Sequence, residues 1–389
     1  SRPIQAPVPV FIAEDTVEAL GALASRARQK TRAKVICLTG TAGKTTLKDA
    51  LASIFSVSFF VMATYKNRNN QIGLPLAIMN AKGDEDVWIL EAGISHEGDM
   101  DYLGKIASPD FALLLNAGAG HIEGLGKRGV AANKARLLRW LGKDGVSLVN
   151  GDYPDLLREA REYDPNLKIF SLCDASEDFR VDFADSRSAP LEGVYVIKLK
   201  DETCLVKTPY TGEWGAEISI ASGATARLCG VSIDDIQKGL AKANTAEHRF
   251  RRLVIGSWII IDDTYNANPL SMRRMIASAK DLAVEAGKPL VLILGEMGEL
   301  GDKAEEAHRE LGREIRKASP VAVFWKGDFA DSVKSGIGES DIKFNIADDP
   351  RAFMEQWQEL GLEKGAALIK GSRSNRMENF LETLASSLK

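Results

Sequence analysis

The sequence predicts an α/β protein of two domains. A central P-loop domain has a mostly parallel sheet, and a C-terminal domain has a Rossmann-like α/β build. Three observations carry this. Apolar runs of strand length alternate with amphipathic helical stretches, the pattern of a parallel sheet covered by helices on both faces. The stretch "VICLTGTAGKTTLKDALASIF" (35–55) reads as strand, glycine loop, helix. The alternation changes character near 181–220 and restarts after Asn244, and 389 residues exceed one typical domain and suit two.

In order along the chain, short continuous apolar runs at 35–38, 87–90, 111–115, 146–149 and 169–172 predict buried parallel strands. Helical patterns lie between them, at 47–55 and 129–141. The segment 181–220, with "LEGVYVIKLKDETCLVKTPY", is rich in alternation and turn residues and predicts an antiparallel addition. Two short helices are expected near 221–229 and 233–243. The domain boundary is placed at 243–248, giving a central domain of 31–244 and a C-terminal domain of 245–389. The second domain repeats strand and helix through "WIIIDDTY", "SMRRMIASAKDLAVEAG", "PLVLILGEM", "KAEEAHRELGREIRKA", "PVAVFWKGD" and "AALIKGSRS". That is the size of a Rossmann-like unit.

Composition excludes several classes. Net charge is −4 with a pI near 5.8, so there is no general attraction to nucleic acid or to an anionic membrane. No apolar run approaches the roughly 20 residues of a membrane span, and the first residues lack the basic-then-apolar pattern of a signal peptide. Cys37, Cys173, Cys204 and Cys229 are scattered without a CxxC pair. A disulfide framework or zinc ribbon is not expected, and a reducing cytoplasm fits.

The glycine loop is Gly40-Thr41-Ala42-Gly43-Lys44-Thr45-Thr46. Glycines let the backbone approach a phosphate, and successive N–H groups at the start of a helix then face the anion. Lys44 would reach the β- and γ-phosphates and the Thr45 hydroxyl would bind Mg²⁺. The loop is shorter than the general GxxxxGK[ST] pattern, since Leu38 stands where the first glycine belongs. The bland alternative is a glycine turn capping a helix; the flanking strand and helix favour the phosphate loop.

The shortened "TGTAGKTT" resembles the loop of the Mur ligases, ATP-dependent amide-forming enzymes of peptidoglycan precursor synthesis. The stretches "NRNNQIGLPL", "ILEAGISHEGDMDYL", "LLNAGAGHIEGLG", "IIDDTYNANPLSM", "LGEMGELGDKAEEAH" and "IKGSRSNRME" are similar to the MurF branch of that family. The resemblance runs from about Pro9 to the C-terminus. It implies a central ATPase domain and an ADP-forming ligase that phosphorylates a substrate carboxylate to an acyl phosphate, which an amine such as D-Ala-D-Ala then attacks. The substrates would be a small-molecule or peptide carboxylate donor and an amine acceptor, and the cofactors ATP and Mg²⁺. Charge builds on transferring oxygens in such a step, so cations and positioning matter more than a protein nucleophile.

Residue by residue, the resemblance makes Glu91 a Mg²⁺ ligand with Thr45. It places His121 and a carbamylated Lys134 at a second Mg²⁺ position; Lys44, His121 and Lys134 would be the catalytic set. Arg249 would hold phosphate, Asp263 the ribose, and Asn266 the nucleotide. Asn67, Asn69, Asn70, Asn116 and Asn268 would face substrate, although asparagine clusters are also common turn formers. Lys370, Ser372 and Arg373 would face the amine, where an arginine fork suits a carboxylate.

Two departures stand out. MurF enzymes carry an N-terminal domain that binds the UDP-sugar end of the donor. Here 39 residues precede Gly40, and 1–30, with "PVPVFIAEDTVEALGALASRAR", resembles only the connector that ends that domain; the expectation is a donor bound with little help from UDP. Second, Glu213, Trp214 and Glu217 stand where the family has a Gly-x-His-Asn-like segment near the adenine, so base contacts do not carry over. Two readings compete: a folylpolyglutamate-synthase-like ligase, and a non-catalytic nucleotide-binding regulator. Amine-dependent ADP release separates enzyme from binder.

Overall fold

The computed structural model describes Pro7, Val10, residues 12–118, Leu125, 129–185 (183–185 as backbone) and 192–388. The first sheet has nine strands: β1 (Lys34–Thr39), β2 (Val61–Ala63), β3 (Val87–Glu91), β4 (Phe111–Leu114), β5 (Val146–Asn150), β6 (Lys168–Ser171), β7 (Phe179–Asp185), β8 (Gly193–Leu199) and β9 (Glu202–Thr208). Their order is β2-β3-β1-β4-β5-β6-β7-β8-β9. Pairing is parallel from β2 to β7 and antiparallel from β7 to β9. The second sheet has β10 (Arg251–Ile255), β11 (Trp258–Asp263), β12 (Leu290–Gly295), β13 (Ala322–Lys326), β14 (Lys343–Ile346) and β15 (Gly365–Lys370), in the order β10-β11-β15-β12-β13-β14. It is parallel except for the β10–β11 hairpin. The α/β class read from the alternation is the class of the fold.

β1 shows why its sequence makes a central strand. Ile36 and Leu38 pack on one face with Leu47, Leu51 and Ile54 of the Lys44–Phe55 helix. Val35 and Cys37 pack on the other with Leu74, Leu103 and Ile106. Each fully buried aliphatic side chain contributes about 1.5–3 kcal/mol, and a strand covered on both faces has no polar alternation to show. The core on the Ile36 face runs on without a break to Met272, Met275 and Leu292, so the two sheets share apolar packing.

Two helical expectations are corrected. The segment expected to be antiparallel up to 220 ends earlier, and a single helix, Gly212–Leu228, replaces its tail and the short helix near 221–229. That helix is buried from Trp214 to Ala226, and a helix buried all round shows no apolar stripe. The pattern at 129–141 splits into an α-helix, Gly129–Ala135, and a 3₁₀ turn, Arg136–Trp140. Arg136 and Trp140 both reach Asp101 in this turn, at 2.6 and 3.2 Å. The Thr16–Lys30 helix is capped by Asp15, whose carboxylate accepts from the Val17 and Glu18 amides. Among the described residues no helix is long and apolar enough to cross a membrane.

Candidate active site

The carboxyl ends of β1, β3 and β4 meet where the first sheet reverses its strand order, the place where open α/β sheets bind ligands. The glycine loop leaves β1 there. Gly43 has φ +82°, a left-handed value that glycine adopts without strain, and it turns the chain into the Lys44–Phe55 helix. Asn116, at the end of β4 and fully buried, holds the loop: its Oδ1 accepts from the Thr41 and Ala42 amides at 2.9 and 3.0 Å. Glu91, at the end of β3, accepts from Thr45 Oγ1 at 2.9 Å and from Asn69 Nδ2 at 2.7 Å.

Lys44 and Lys134 both donate to the Gly40 carbonyl, at 2.8 and 2.9 Å. Among the described residues neither is ion-paired to a carboxylate. Burial pushes the Lys44 ammonium below the usual lysine range; Glu91 opposes this and Arg249 adds to it. Lys134, 4% exposed, is pushed well below that range by burial first and by the Lys44 charge second, against the pull of Glu91. Two desolvated amines share one carbonyl, with the Glu91 carboxylate as the nearby charge that opposes their shifts.

The second sheet supplies the opposite wall. Asp263, at the end of β11, accepts from Lys370 Nζ at 2.5 Å and from the Phe250 amide at 3.1 Å. Lys370, at the end of β15, is buried and also donates to the Asn266 carbonyl at 2.7 Å. Arg249 lies over the Tyr265 ring with its guanidinium carbon 3.8 Å from the centroid. Asn268 caps the Pro269–Glu285 helix in a capping box with Ser271, and its Nδ2 lies 3.5 Å from the Thr41 carbonyl across the gap. A cleft of about 290 Å³ lies between the two walls.

Most of the sequence-predicted residues meet in this cleft. Thr41 to Thr46, Asn67, Asn69, Asn70, Glu91, Lys134, Arg249, Asp263, Asn266, Asn268 and Lys370 line it. Others have partners within the chain. Asn116 bonds the loop and Glu217 through its amide. Asn70 accepts from the Ile72 and Gly73 amides and so shapes a helix start. Lys370 lines the cleft and pairs with Asp263 there. Ser372 and Arg373 are not brought to the cleft lining: Ser372 bonds Asn375, and Arg373 pairs with Glu378 at 2.9 Å. His121 lies outside the described residues. Sequence reasoning missed Tyr265, Phe250 and Arg274, which also line the cleft, and assigned Trp214 no contact there. Glu217 carried a signal, as one acid in the otherwise small and apolar run "AEISIASGATA"; such a residue, if buried, needs a partner.

Residues 38–226 match the Mur ligase middle domain, and residues 248–373 match the domain described as "Mur ligase, glutamate ligase domain". The UDP-N-acetylmuramoyl-tripeptide–D-alanyl-D-alanine ligase of Escherichia coli K12 is 30% identical, over 99% of this chain and 84% of its own length. The chain belongs to the Mur ligase family. The enzyme of the same name from Bacillus subtilis 168 is also 30% identical, over 97% of this chain and 81% of its own. Among solved structures, MurF from Acinetobacter baumannii superposes with a TM-score of 0.89 at 30% identity, covering 99% of this chain and 84% of that one. MurF from Thermotoga maritima in complex with ADP gives 0.86 at 26%, covering 100% and 87%. A Mycobacterium tuberculosis folylpolyglutamate synthase gives 0.73 at 15%, a likeness of fold alone. As a Mur ligase the chain is an ATP-using, ADP-forming ligase with a carboxylate-bearing substrate and an amine substrate.

Proposed function

We propose that this ligase joins D-Ala-D-Ala, or a closely similar amine, to a peptidyl carboxylate of the UDP-N-acetylmuramoyl-tripeptide class named for its relatives. Residues 31–244 and 245–389 serve as the two domains that meet on the nucleotide. The observation that carries this is the cleft in which the buried amines of Lys44 and Lys134 face a wall built by Asp263, Lys370 and Arg249. The donor carboxylate attacks the γ-phosphorus and ADP leaves; the amine then attacks the acyl carbon, losing a proton, and phosphate leaves. Lys44 binds and orients the phosphates, Arg249 adds charge on the far side, and Asp263, held by Lys370, takes the ribose, with Asn266 beside it. Asn67 and Asn69 offer hydrogen bonds to the donor.

The residues present fit Mg²⁺. Thr45 and Glu91 place a hydroxyl and a carboxylate 2.9 Å apart beside the loop, the hard-oxygen, few-ligand donor set that Mg²⁺ takes alongside phosphates. When bound, the ion neutralises charge on the transferring oxygens. Lys134, its amine held toward the neutral form by burial, has the chemistry that reaction with CO₂ requires, and its carbamate would add a second anion beside Glu91.

The test is ADP release from ATP with UDP-N-acetylmuramoyl-tripeptide and D-Ala-D-Ala together and each alone. Sustained release is expected only with both. Release that ignores the amine would sink the ligase assignment, and turnover with other amines but not D-Ala-D-Ala would sink the acceptor.

A further inference from the structure

Arg274 and Glu217 join the two walls of the cleft through a buried polar chain that the proposed chemistry does not use. Arg274 lies on the Pro269–Glu285 helix and Glu217 on the Gly212–Leu228 helix. The guanidinium meets the carboxylate as a fork, Nη1 to Oε2 at 2.7 Å and Nη2 to Oε1 at 2.9 Å, and Nη2 also donates to the Tyr153 hydroxyl at 2.7 Å. Glu217, 1% exposed, accepts two further bonds, from Asn150 Nδ2 at 2.9 Å and Asn116 Nδ2 at 3.2 Å. Asn116 then holds the Thr41 and Ala42 amides through its Oδ1.

The chemistry of these groups gives the chain a direction. An ionised carboxylate only accepts hydrogen bonds. Glu217 therefore accepts from the NH₂ of Asn116, which also donates to the Ala42 carbonyl at 3.0 Å, and the Asn116 oxygen faces the loop amides. Burial pushes the Glu217 carboxyl up, and Arg274 and the Asn116 amide oppose it. If the C-terminal wall moves away, the Arg274 charge goes with it, and a buried carboxylate with no counter-charge is costly. Glu217 then takes up a proton or swings out, and the Asn116 NH₂ loses one of its two acceptors, leaving the Ala42 carbonyl alone.

We propose that Arg274 and Glu217 are positioning residues that couple docking of the C-terminal wall to the shape of the phosphate loop. Docking presets the loop through Glu217 and Asn116. Because coupling between two binding equilibria is reciprocal, a nucleotide on the loop in turn favours docking. This rests on the reading that the loop binds nucleotide. Arg274 itself lines the cleft, but Glu217 does not, so the effect of Glu217 on nucleotide is transmitted rather than direct.

The experiment measures ADP affinity with Mg²⁺ by calorimetry for the full chain, Glu217→Gln and Arg274→Lys, well below each melting temperature. Small-angle scattering is recorded with and without ADP. In Glu217→Gln the new amide would aim an NH₂ at donors, and in Arg274→Lys the ammonium would keep the charge but lose the fork. Both variants are expected to bind ADP at least threefold more weakly than the parent and to show a smaller ADP-induced change in scattering. A merely structural role lowers the melting temperature and leaves ADP affinity unchanged. If the parent binds ADP and the folded variants bind it within threefold, the coupling is wrong while the nucleotide reading stands. If the parent does not bind ADP, the nucleotide reading falls and the coupling with it. Should Glu217→Gln not fold, Arg274→Lys decides by the same threefold limit.

Discussion

Lys44 and Lys134 put two amines on the Gly40 carbonyl, and each gives a test. Lys44→Ala should keep its circular-dichroism spectrum and lose at least about 10²-fold in turnover, the cost of removing one preorganised donor to developing charge; near-parental turnover would remove the phosphate assignment. For Lys134 the sign follows from burial. Its folded value lies well below the lysine range, so between that value and the ordinary one the unfolded chain holds more protons. Stability therefore rises with pH through that window. In CO₂-free buffer, urea unfolding of the parent should gain stability from neutral to alkaline pH more steeply than Lys134→Met; equal slopes would place the amine in a normal environment. With bicarbonate, intact mass should show a carboxyl added to the parent and none to Lys134→Ala, whose activity small carboxylates should partly restore. The loop residues were legible because a phosphate cradle is a local motif. The Glu217–Arg274 pair was not, because its partners lie far apart in sequence and on different domains.

At the scale of elements, apolar runs located β1 and β3 to β6, since strands buried on both faces are written as continuous hydrophobic segments. The Gly212–Leu228 helix was misplaced for the mirror reason: burial on every side erases the period that marks a helix. Close helix packing was equally silent. Gly239, on the Ile233–Ala241 helix, lies so near the Lys44–Phe55 helix that a Cβ there would stand 2.3 Å from Ile54 Cα. The Ser53 hydroxyl donates to the Gly239 carbonyl at 2.6 Å across the same contact. Gly239→Ala gains helix propensity but must push the helices apart, and overpacking of this kind costs about 1–3 kcal/mol. A lowered urea midpoint with unchanged slope is expected, and because the Lys44–Phe55 helix carries the loop, nucleotide affinity should fall with it. A midpoint equal to or above the parent's would show that the helices yield freely.

Across the whole molecule, the consequence of the architecture is that one cleft is walled by two sheets. The first sheet contributes Thr41 to Thr46 and Glu91 to the cleft, and the second contributes Asp263, Asn266 and Lys370. Between them the chain passes through His248 and Phe250, both non-glycine residues at positive φ, +60° and +51°; such residues are uncommon and mark a tightly determined turn. A nucleotide held by both walls stabilises each through the other, whereas one held by the loop alone protects only the first sheet. At a concentration of 100 Kd it adds about 2.7 kcal/mol to the state that binds it. Hydrogen exchange with saturating ADP and Mg²⁺ should therefore slow at two places far apart in sequence, the loop 40–46 and the segment 263–268 with the turn at 248–250. Closure of this kind also keeps water from an acyl phosphate, so protection at the second place should deepen when the carboxylate donor is added. Protection confined to 40–46, with 248–268 exchanging at its ligand-free rate, would show that the nucleotide is a tenant of the first sheet only. Arg249, Asp263 and Asn266 would then lose the roles given to them here.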